Sequence, residues 1–418
     1  MADVLRPVAP EERIGALDML RGWAMFGVLW SNLNDWYNPA AATTPLDHAL
    51  SWVQENLIEA RFYSLLILLF GIGFGIQLLR ANSLATDLRT TYYRRTVTLL
   101  GIGIVHGTLI WRGDVLTIYA LTAFALIMFR TASTRLILVA AVLLWFVGPT
   151  VAREAMFLSG LRIPVFHTTG ESVAIYAHGT WAQVERVRVA GYLEWLGLWG
   201  LGSYVKILAA FLVGLWTVKS GYLRRVIEEP RFTRRLLAVS LCAVAIGYAM
   251  WQWGGTLWPP TQAPATFVPH FPYPYFQLEM LRQFVRKLFD WATEGTALAY
   301  ACVLLLLWQR PLGQRLLRPL AAAGRMALTT YLTQSIVCTL LFYGYGLGCY
   351  GSVGFTGMLL ITLILFTCQM AASIWWLARF RYGPAEWLWR TLTYGHSPEM
   401  RVAPGEPAEG QRLGRTAA

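Results

Sequence analysis

The chain has 418 residues, of which 56% are hydrophobic and 14% are charged, and its mean hydropathy is +0.46. This balance excludes a soluble globular protein and is typical of a polytopic α-helical membrane protein. The net charge of +12 does not indicate nucleic-acid binding, because the basic residues lie between apolar segments, where such residues set topology and contact lipid headgroups.

We predict an all-α polytopic membrane protein with about ten transmembrane helices. Ten apolar segments each have nearly the length of about 20 residues that crosses a bilayer core. In chain order, the predicted spans are 16–33, 58–79, 93–110, 114–130, 135–156, 203–219, 234–252, 291–308, 326–344 and 356–378.

The distribution of Lys and Arg predicts that both termini are cytoplasmic. With an inside amino terminus, the segments on the cytoplasmic side hold 24 of the 35 Lys and Arg residues, and the outer segments hold eight. Such an excess in the shorter loops marks the cytoplasmic side of a membrane protein.

We expect residues 1–395 to form a single transmembrane helical domain, with two long outer loops at about 157–202 and 253–290. The prolines of the second loop, in "WPPTQAPATFVPHFPYPYF", are incompatible with a regular helix interior. Residues 396–418 are rich in Pro, Gly and Ala, and this composition predicts a flexible cytoplasmic tail.

Polar residues stand at both ends of the first predicted span, in "LDMLRGWAMFGVLWSNLNDW". Asp18 and Arg21 are three residues apart, so they share a helix face and can pair. The pair is either a structural ion pair, with Arg21 extending to the interface, or a clamp for the phosphate or carboxylate of a cytoplasmic ligand. Asn32 contributes an amide at the other end of the span.

The short turn "WRG" between the third and fourth spans brings His106 and Asp114 to the same membrane depth. A carboxylate beside a histidine fixes the imidazole tautomer and stabilises its protonated form, which is the arrangement of a general base. The alternative is structural, since an aspartate after a glycine is also a good helix N-cap. Spacing alone does not choose between the two.

Two further polar residues lie within predicted spans. Glu294, in the eighth span, is a candidate acid, base or ion site, or else an interfacial carboxylate. Gln334 lies on the polar side of the ninth span, in "GRMALTTYLTQSIV".

No spacing of Cys and His resembles a metal site, so we expect no metal. After the last span, "RYGPAEWLWRTLTYG" predicts a short amphipathic helix that docks on the inner surface.

Five segments in order resemble the signature segments of the YeiB-like bacterial inner-membrane proteins, which carry domain of unknown function 418. The segments are "RIGALDMLRGWAMFGVLWSN", "RFYSLLILLFGIGFG", "LLGIGIVHGTLIWRGDVLTIYAL", "GRMALTTYLTQS" and "RYGPAEWLWRTLTYG". The resemblance implies a multi-pass protein of the bacterial cytoplasmic membrane.

That family is similar to the transmembrane acyltransferases, which take an acyl group from a cytoplasmic acyl-CoA and deliver it to a hydroxyl or amine on the far side of the membrane. In the glycan-modifying branch, an arginine is followed after ten intervening residues by a catalytic histidine. Arg21 has this spacing here, but its partner position holds Asn32. We assign the missing base to His106 as our own inference.

The sequence thus predicts a membrane-embedded acyltransferase with an acyl-CoA donor. Arg21, supported by Asp18, would bind the donor, and His106, oriented by Asp114, would deprotonate a glycan, lipid or small-molecule acceptor. Amide hydrogens of Asn32 and Gln334 would stabilise the oxyanion.

The alternative is a transporter or flippase of a small metabolite or amphiphile, in which His106, Asp114 and Glu294 form a proton relay. The lipid bilayer is a partner in either case. A homo-oligomer is also compatible with the sequence.

Overall fold

A computed structural model describes residues 14–37, 44–84, 87–149, 170–198, 200–257 and 273–402, together with residues 151, 152, 155 and 159. Within these residues the protein is all-helical and contains no strand beyond one isolated bridge between Phe380 and Arg401.

Many of the described helices are joined by short connections. A π-helical turn at Gln54–Ile58 follows the second helix, and a 3-10 turn at Ile127–Phe129 follows the fifth. In chain order the α-helices of the described residues are α1 (Gly15–Tyr37), α2 (Pro45–Val53), α3 (Arg61–Ser83), α4 (Leu88–Leu109), α5 (Leu116–Leu126), α6 (Thr134–Phe146), α7 (Gly170–His178), α8 (Trp181–Leu198), α9 (Gly200–Lys219), α10 (Tyr222–Glu228), α11 (Pro230–Leu257), α12 (Tyr273–Trp308), α13 (Pro311–Arg325), α14 (Ala327–Phe342), α15 (Phe355–Leu377) and α16 (Pro384–Tyr394).

Several helices have the length and composition of membrane spans. Five segments of the described chain are long and apolar enough to cross a bilayer: Pro45–Ser83, Gly202–Lys219, Pro230–Met250, Asp290–Trp308 and Phe355–Leu377. Large apolar side chains also stay exposed on the outer sides of α6 and α15, as a surface in contact with lipid requires. These include Leu136, Val139, Val142 and Leu143 on α6, and Leu360, Leu363 and Ile364 on α15.

Two ends of the helical bundle can be distinguished. The amino-terminal face contains the first turns of α1, α4 and α14, with α16 packed beside them, as the bond from Trp389 Nε1 to the Arg95 carbonyl illustrates. The opposite face contains the end of α1, the helix α2, and the hairpin between α4 and α5. There, Gln54 Nε2 donates to the carbonyl oxygen of Trp30.

The helix α1 lies at the centre of the bundle. Five consecutive residues, 16–20, are buried, and a helix buried on every side must be surrounded by other helices. Its closest neighbour is α13, where two glycines allow the backbones to meet. A Cβ atom on Gly22 would lie 1.9 Å from the Leu320 carbonyl oxygen, and one on Gly324 would lie 1.8 Å from that of Asp18. Small residues permit such approach between membrane helices.

The structure corrects our expectation for the two outer segments. The first segment, about 157–202, contains two helices, α7 and α8. In the second, about 253–290, α12 begins at Tyr273 in spite of the prolines. Pro274 is in the first turn of α12, where a missing N–H removes no helical hydrogen bond. Residues 258–272 lie outside the described part of the chain.

Part of the predicted tail is also ordered. Residues 396–402 return along the end of α15, where Arg381 N–H donates to the Met400 carbonyl oxygen at 2.8 Å and Val402 N–H donates to that of Arg379 at 3.1 Å. Backbone hydrogen bonds thus join this part of the tail to the residues that follow α15. Residues 403–418 lie outside the described part of the chain.

The contact between α1 and α13 predicts a difference between two substitutions of glycine by alanine. We expect Gly22→Ala to lower the free energy of unfolding by about 1–3 kcal/mol, because the added methyl group overpacks a close backbone contact. Gly101→Ala should be neutral or stabilising, because nothing lies within 4 Å of its Cβ position and alanine favours a helix. Thermal unfolding in detergent measures both, and equal melting temperatures would contradict the packing described here.

Candidate functional site

A cavity of about 330 Å³ lies at the amino-terminal face, among α1, α3, α4, α5, α13, α14 and α16. Its mouth is lined by charged side chains. Four arginines and two carboxylates leave a surplus of positive charge, which favours an anion. The charged residues that line it are Asp18, Arg21, Arg95, Arg325, Glu386 and Arg390.

The arginines are held in place by carboxylate and aromatic partners. Arg21 Nη1 donates to Asp18 Oδ1, so the predicted pair is present. The guanidinium of Arg95 lies 4.1 Å from the ring centroid of Trp389, a cation–π contact that orients the charge without neutralising it. Guanidinium groups suit phosphate oxygens, which they bind with two parallel hydrogen bonds. The mouth is therefore suited to a phosphorylated ligand.

The amphipathic helix α16 forms one wall of this mouth. Glu386 Oε1 accepts hydrogen bonds from the backbone N–H groups of Leu328, at 2.6 Å, and Thr329, at 3.1 Å. The carboxylate thereby caps the first turn of α14, where unsatisfied N–H groups and the helix dipole favour a negative charge. Burial raises the pKa of Glu386 above its ordinary value, although the hydrogen bonds from Thr329 and Leu328 oppose this shift.

The interior of the cavity is apolar. Leucine and phenylalanine side chains of α1, α3, α4 and α5 line it, and the tyrosines Tyr92, Tyr119 and Tyr331 interrupt them. An anionic amphiphile matches this combination, because its charged group would lie at the mouth and its apolar chain in the interior. The apolar lining residues include Leu17, Leu66, Leu69, Phe70, Phe74, Leu99 and Leu116.

The predicted His106–Asp114 pair exists and is fully buried. His106 Nδ1 lies 2.8 Å from Asp114 Oδ1, and the two residues are 1% and 0% exposed. The second carboxylate oxygen, Asp114 Oδ2, accepts from Thr117 N–H at 2.7 Å. One carboxylate oxygen of Asp114 therefore caps α5, and the other lies within hydrogen-bonding distance of the histidine. Whether the pair acts as a general base stays a prediction.

The remaining imidazole nitrogen has the properties of a base. A carboxylate accepts a hydrogen bond from Nδ1–H, and this selects the tautomer in which Nε2 carries a lone pair. His106 Nε2 is buried and has no hydrogen-bond partner among the described residues. A buried polar atom without a partner needs an explanation, of which a catalytic role is one.

Tyr331 is next to both the cavity and His106. Its side chain lines the cavity, and its ring centroid lies 4.9 Å from that of His106. The Tyr331 hydroxyl accepts a long hydrogen bond, 3.4 Å, from the backbone N–H of Val115. Tyr331 therefore lines the cavity and also contacts the imidazole ring of His106.

The hairpin that carries the pair is clamped by α8, a helix that sequence analysis did not connect with the site. Arg188, which is 0% exposed, pairs with Glu185 and donates to the carbonyl oxygens of Thr108 at 2.9 Å and Ile110 at 3.1 Å. These carbonyls end α4 and have no partner within the helix. Arg188 therefore fixes the chain beside His106.

Two further contacts join α8 to the start of α5. The hydroxyl groups of Tyr192 and Thr117 lie 2.8 Å apart, and Trp195 Nε1 donates to the Asp114 carbonyl oxygen at 3.1 Å. The sequence shows only an arginine in a segment assigned to an outer loop, and its burial, which reveals the clamp, is known only from the structure.

The two predicted amides lie in different surroundings. Asn32 Oδ1 accepts a hydrogen bond from the Tyr63 hydroxyl. Gln334 Nε2 donates to Gln369 Oε1 at 3.0 Å, and to the Met25 carbonyl oxygen at 3.4 Å. Neither lines the cavity, and their role at an oxyanion stays a prediction.

Glu294 belongs to a separate group between α3 and α12. Its Oε1 accepts from Ser64 Oγ at 3.0 Å, and it interacts electrostatically with Arg61. The structure therefore places Glu294 with Ser64 and Arg61, whereas His106 is grouped with Asp114 and Tyr331.

Three of the four mouth arginines escaped sequence analysis. Arg95 and Arg325 counted only as cytoplasmic topology determinants, and Arg390 as part of a docking helix. The sequence feature that these three residues share is their position within two helical turns of an apolar segment. Because many surface arginines share that position, only the packing of α4, α13 and α16 distinguishes these three.

The comparisons with known proteins identify the family. The profile described as "Protein of unknown function (DUF418)" matches residues 217–396. The protein YxaH of Bacillus subtilis (strain 168) is 30% identical over 416 residues, which cover 93% of this chain and 96% of that protein. The chain belongs to the DUF418 family.

Two other relatives match to a similar extent. The YeiB protein of Escherichia coli (strain K12) is 29% identical over 404 residues, with 91% of this chain and 96% of that protein covered. A 39.9 kDa protein from the amylase 3' region of Bacillus acidopullulyticus is 26% identical over 402 residues, with 93% and 96% covered. No solved structure matches. The predicted YeiB-like family is confirmed, whereas the relation to acyltransferases stays a prediction.

The clamp predicts a specific loss of stability. We expect Arg188→Met to lower the free energy of unfolding by about 3 kcal/mol, because charge-assisted hydrogen bonds to the end of α4 are lost. Arg186→Met, at an exposed position of the same helix, serves as the control and should change little. Thermal unfolding followed by tryptophan fluorescence compares the two, and faster hydrogen exchange at residues 106–117 in the first variant alone would locate the effect. Equal melting temperatures would rule out the clamp.

Proposed function

We propose that this protein is a membrane-embedded acyltransferase that moves an acyl group from a cytoplasmic acyl-CoA-type donor to a hydroxyl or amine acceptor near the outer face. One observation carries the proposal. Four arginines and Tyr331 line one largely apolar cavity, and the Tyr331 ring contacts a histidine paired with a buried aspartate. An anion site, an apolar channel and a base therefore follow one another through the bundle.

The orientation in the membrane is part of the proposal. About ten helices cross the bacterial cytoplasmic membrane, both termini are cytoplasmic, and the amino-terminal face is the inner one. The excess of Lys and Arg in the segments at that face supports this orientation. The arginine mouth then opens to the compartment that contains acyl-CoA.

The size of the cavity limits what can enter it. Cavities for drug-sized ligands have volumes of about 300–1,000 Å³, and this one, with about 330 Å³, is at the lower end. We propose that the acyl group and its thioester arm enter, while the phosphates of the donor stay at the mouth with Arg21, Arg95 and Arg390.

In this proposal, His106 and Asp114 carry out the proton transfers. His106 Nε2 takes the proton from the acceptor O–H or N–H, and the acceptor atom attacks the thioester carbonyl carbon. The C–S bond then breaks, and the imidazolium returns the proton to the departing thiolate. The products are the acylated acceptor and the free thiol. Asp114 stabilises the imidazolium between these steps, and the Tyr331 side chain has to move aside for the acyl group to reach His106.

The two amides differ as candidate oxyanion donors. The Tyr63 hydroxyl occupies the oxygen of Asn32, which leaves the amide hydrogens of Asn32 to donate to another group. Gln334 directs its amide hydrogens to Gln369 and Met25. Asn32 is therefore the better candidate for stabilising negative charge on the carbonyl oxygen.

The transporter alternative has less support in the geometry. It requires a proton relay through His106, Asp114 and Glu294, but Glu294 is grouped with Ser64 and Arg61 between α3 and α12. An amphiphile could still occupy the cavity, so the experiment below includes a transport measurement.

Substitution of the proposed base tests the reaction. We expect His106→Ala to lower the rate of acyl-CoA consumption by about 10²–10⁴-fold, the usual contribution of a general base. The assay follows release of the free thiol from acyl-CoA added to inverted membrane vesicles that contain the protein and the native acceptors.

His178→Ala is the matched control, because His178 is exposed at the end of α7 and should leave the rate unchanged. Equal rates for His106→Ala and the unsubstituted protein, at equal amounts of folded protein, would refute the mechanism. Movement of a labelled amphiphile across proteoliposomes without consumption of acyl-CoA would favour the transporter.

A further inference from the structure

The helix α3 carries three glycines in the segment 71–75, and packing explains only two of them. A Cβ atom on Gly71 would lie 2.2 Å from the Phe211 carbonyl oxygen, and one on Gly75 would lie 2.8 Å from Val218 Cβ. Both glycines therefore allow α9 to approach α3, as small residues do between membrane helices. At Gly73, nothing lies within 4 Å of the Cβ position. Since a glycine weakens a helix, its presence at this position needs another reason.

The empty space beside Gly73 belongs to the cavity. On the surface of a helix, the neighbours of a residue are those three and four positions away. All four such neighbours of Gly73 line the cavity, as Gly73 itself does; they are Leu69, Phe70, Ile76 and Gln77. A side chain at position 73 would therefore project into the cavity. The absence of one leaves a gap in the cavity wall, which we call the Gly73 notch.

The Gly73 notch lies between the arginine mouth and the apolar depth of the cavity. Because α3 ends at Ser83 and α4 begins at Leu88, the carboxy-terminal end of α3 lies at the amino-terminal face, as the mouth does. The part of α3 that lines the cavity extends from Gln77 to Leu66, which is about 16 Å along the helix axis. Gly73 is about 6 Å from Gln77 and about 10 Å from Leu66. A bulky side chain at position 73 would narrow the cavity between these two parts.

We propose that the Gly73 notch is the passage through which a single unbranched chain runs from the arginine mouth into the deeper part of the cavity. The charges at the mouth select an anionic end group, and the apolar lining beyond Gly73 suits a chain of low polarity. The cavity, with about 330 Å³, has the size of a small ligand site, so it takes one chain and not the two of a phospholipid. Gly73 is then a specificity residue for single-chain anionic amphiphiles.

This inference rests on the proposed function only for identifying the chain with the thioester arm of an acyl donor, so its test measures binding and not turnover. The full-length protein in nanodiscs of zwitterionic lipid is titrated with butyl, octyl and dodecyl phosphate, which carry no acyl group. Empty nanodiscs give the partition of each probe into lipid, which is subtracted.

Two matched variants are compared with the unsubstituted protein. Gly73→Leu fills the notch. Gly101→Leu is the control, because the Cβ position of Gly101 is equally open, whereas Gly101 is exposed on α4 and is not part of the cavity lining. Both variants should be at least as stable as the unsubstituted protein, since leucine favours a helix more than glycine does. Thermal unfolding checks this, so that a loss of binding is not mistaken for a loss of fold.

We expect the affinity of the unsubstituted protein and of Gly101→Leu to rise with the length of the chain. In Gly73→Leu, the affinity for dodecyl phosphate should fall about tenfold or more, because each methylene group that the leucine side chain displaces contributes about fourfold. Butyl phosphate should bind all three proteins equally, since its short chain stays with the arginines. Phosphatidic acid, which has two chains, should not displace dodecyl phosphate.

Four results would overturn the inference. They are an equal dependence of affinity on chain length in Gly73→Leu and Gly101→Leu, an equal loss of affinity for butyl and dodecyl phosphate in Gly73→Leu, displacement of dodecyl phosphate by phosphatidic acid, and the absence of binding by every probe.

Consumption of acyl-CoA separates this inference from the proposed function. If Gly73→Leu and the unsubstituted protein consume acyl-CoA at the same rate, the passage is refuted and the proposed function stands. If neither consumes acyl-CoA but the affinity for dodecyl phosphate depends on residue 73, the passage stands and the proposed function is refuted.

Discussion

The opposite face of the bundle is organised around the hydrogen bond between His106 Nδ1 and Asp114 Oδ1, 2.8 Å long and inaccessible to solvent. A carboxylate in such a place is stable only if its oxygens have donors. The imidazole provides one and the first turn of α5 the other. The short hairpin, the glycine in it and the clamp from α8 all serve to hold these three groups together.

At the amino-terminal face, the charge that needs partners is positive, because arginines are in excess at the mouth of an apolar cavity. Asp18 and Glu386 neutralise part of that charge, and aromatic rings support the rest. Glu386 also caps α14, which is the helix that carries Tyr331. The helix α16 is thereby coupled to the helix that carries Tyr331. The first and last helices of the described residues, α1 and α16, both line this cavity.

The sequence predicted much of the fold because apolar length and charge asymmetry are local properties. The helical class and the pairs Asp18–Arg21 and His106–Asp114 follow from spacings of three residues and of one tight turn. The start of α12 was missed because prolines near a helix start resemble prolines that prevent a helix. The mouth arginines were missed because Arg95, Arg325 and Arg390 are far apart in the chain.

By itself, then, the sequence determined that this is an all-helical membrane protein of the DUF418 family with a histidine beside an aspartate. Only the tertiary structure decided that the arginines of α1, α4, α13 and α16 converge on one apolar cavity. It alone also decided that Tyr331 lines that cavity and contacts the ring of His106. The physical reason is that hydrophobic periodicity fixes which residues are helical. The contacts between helices distant in sequence depend on side-chain packing, which no local pattern records.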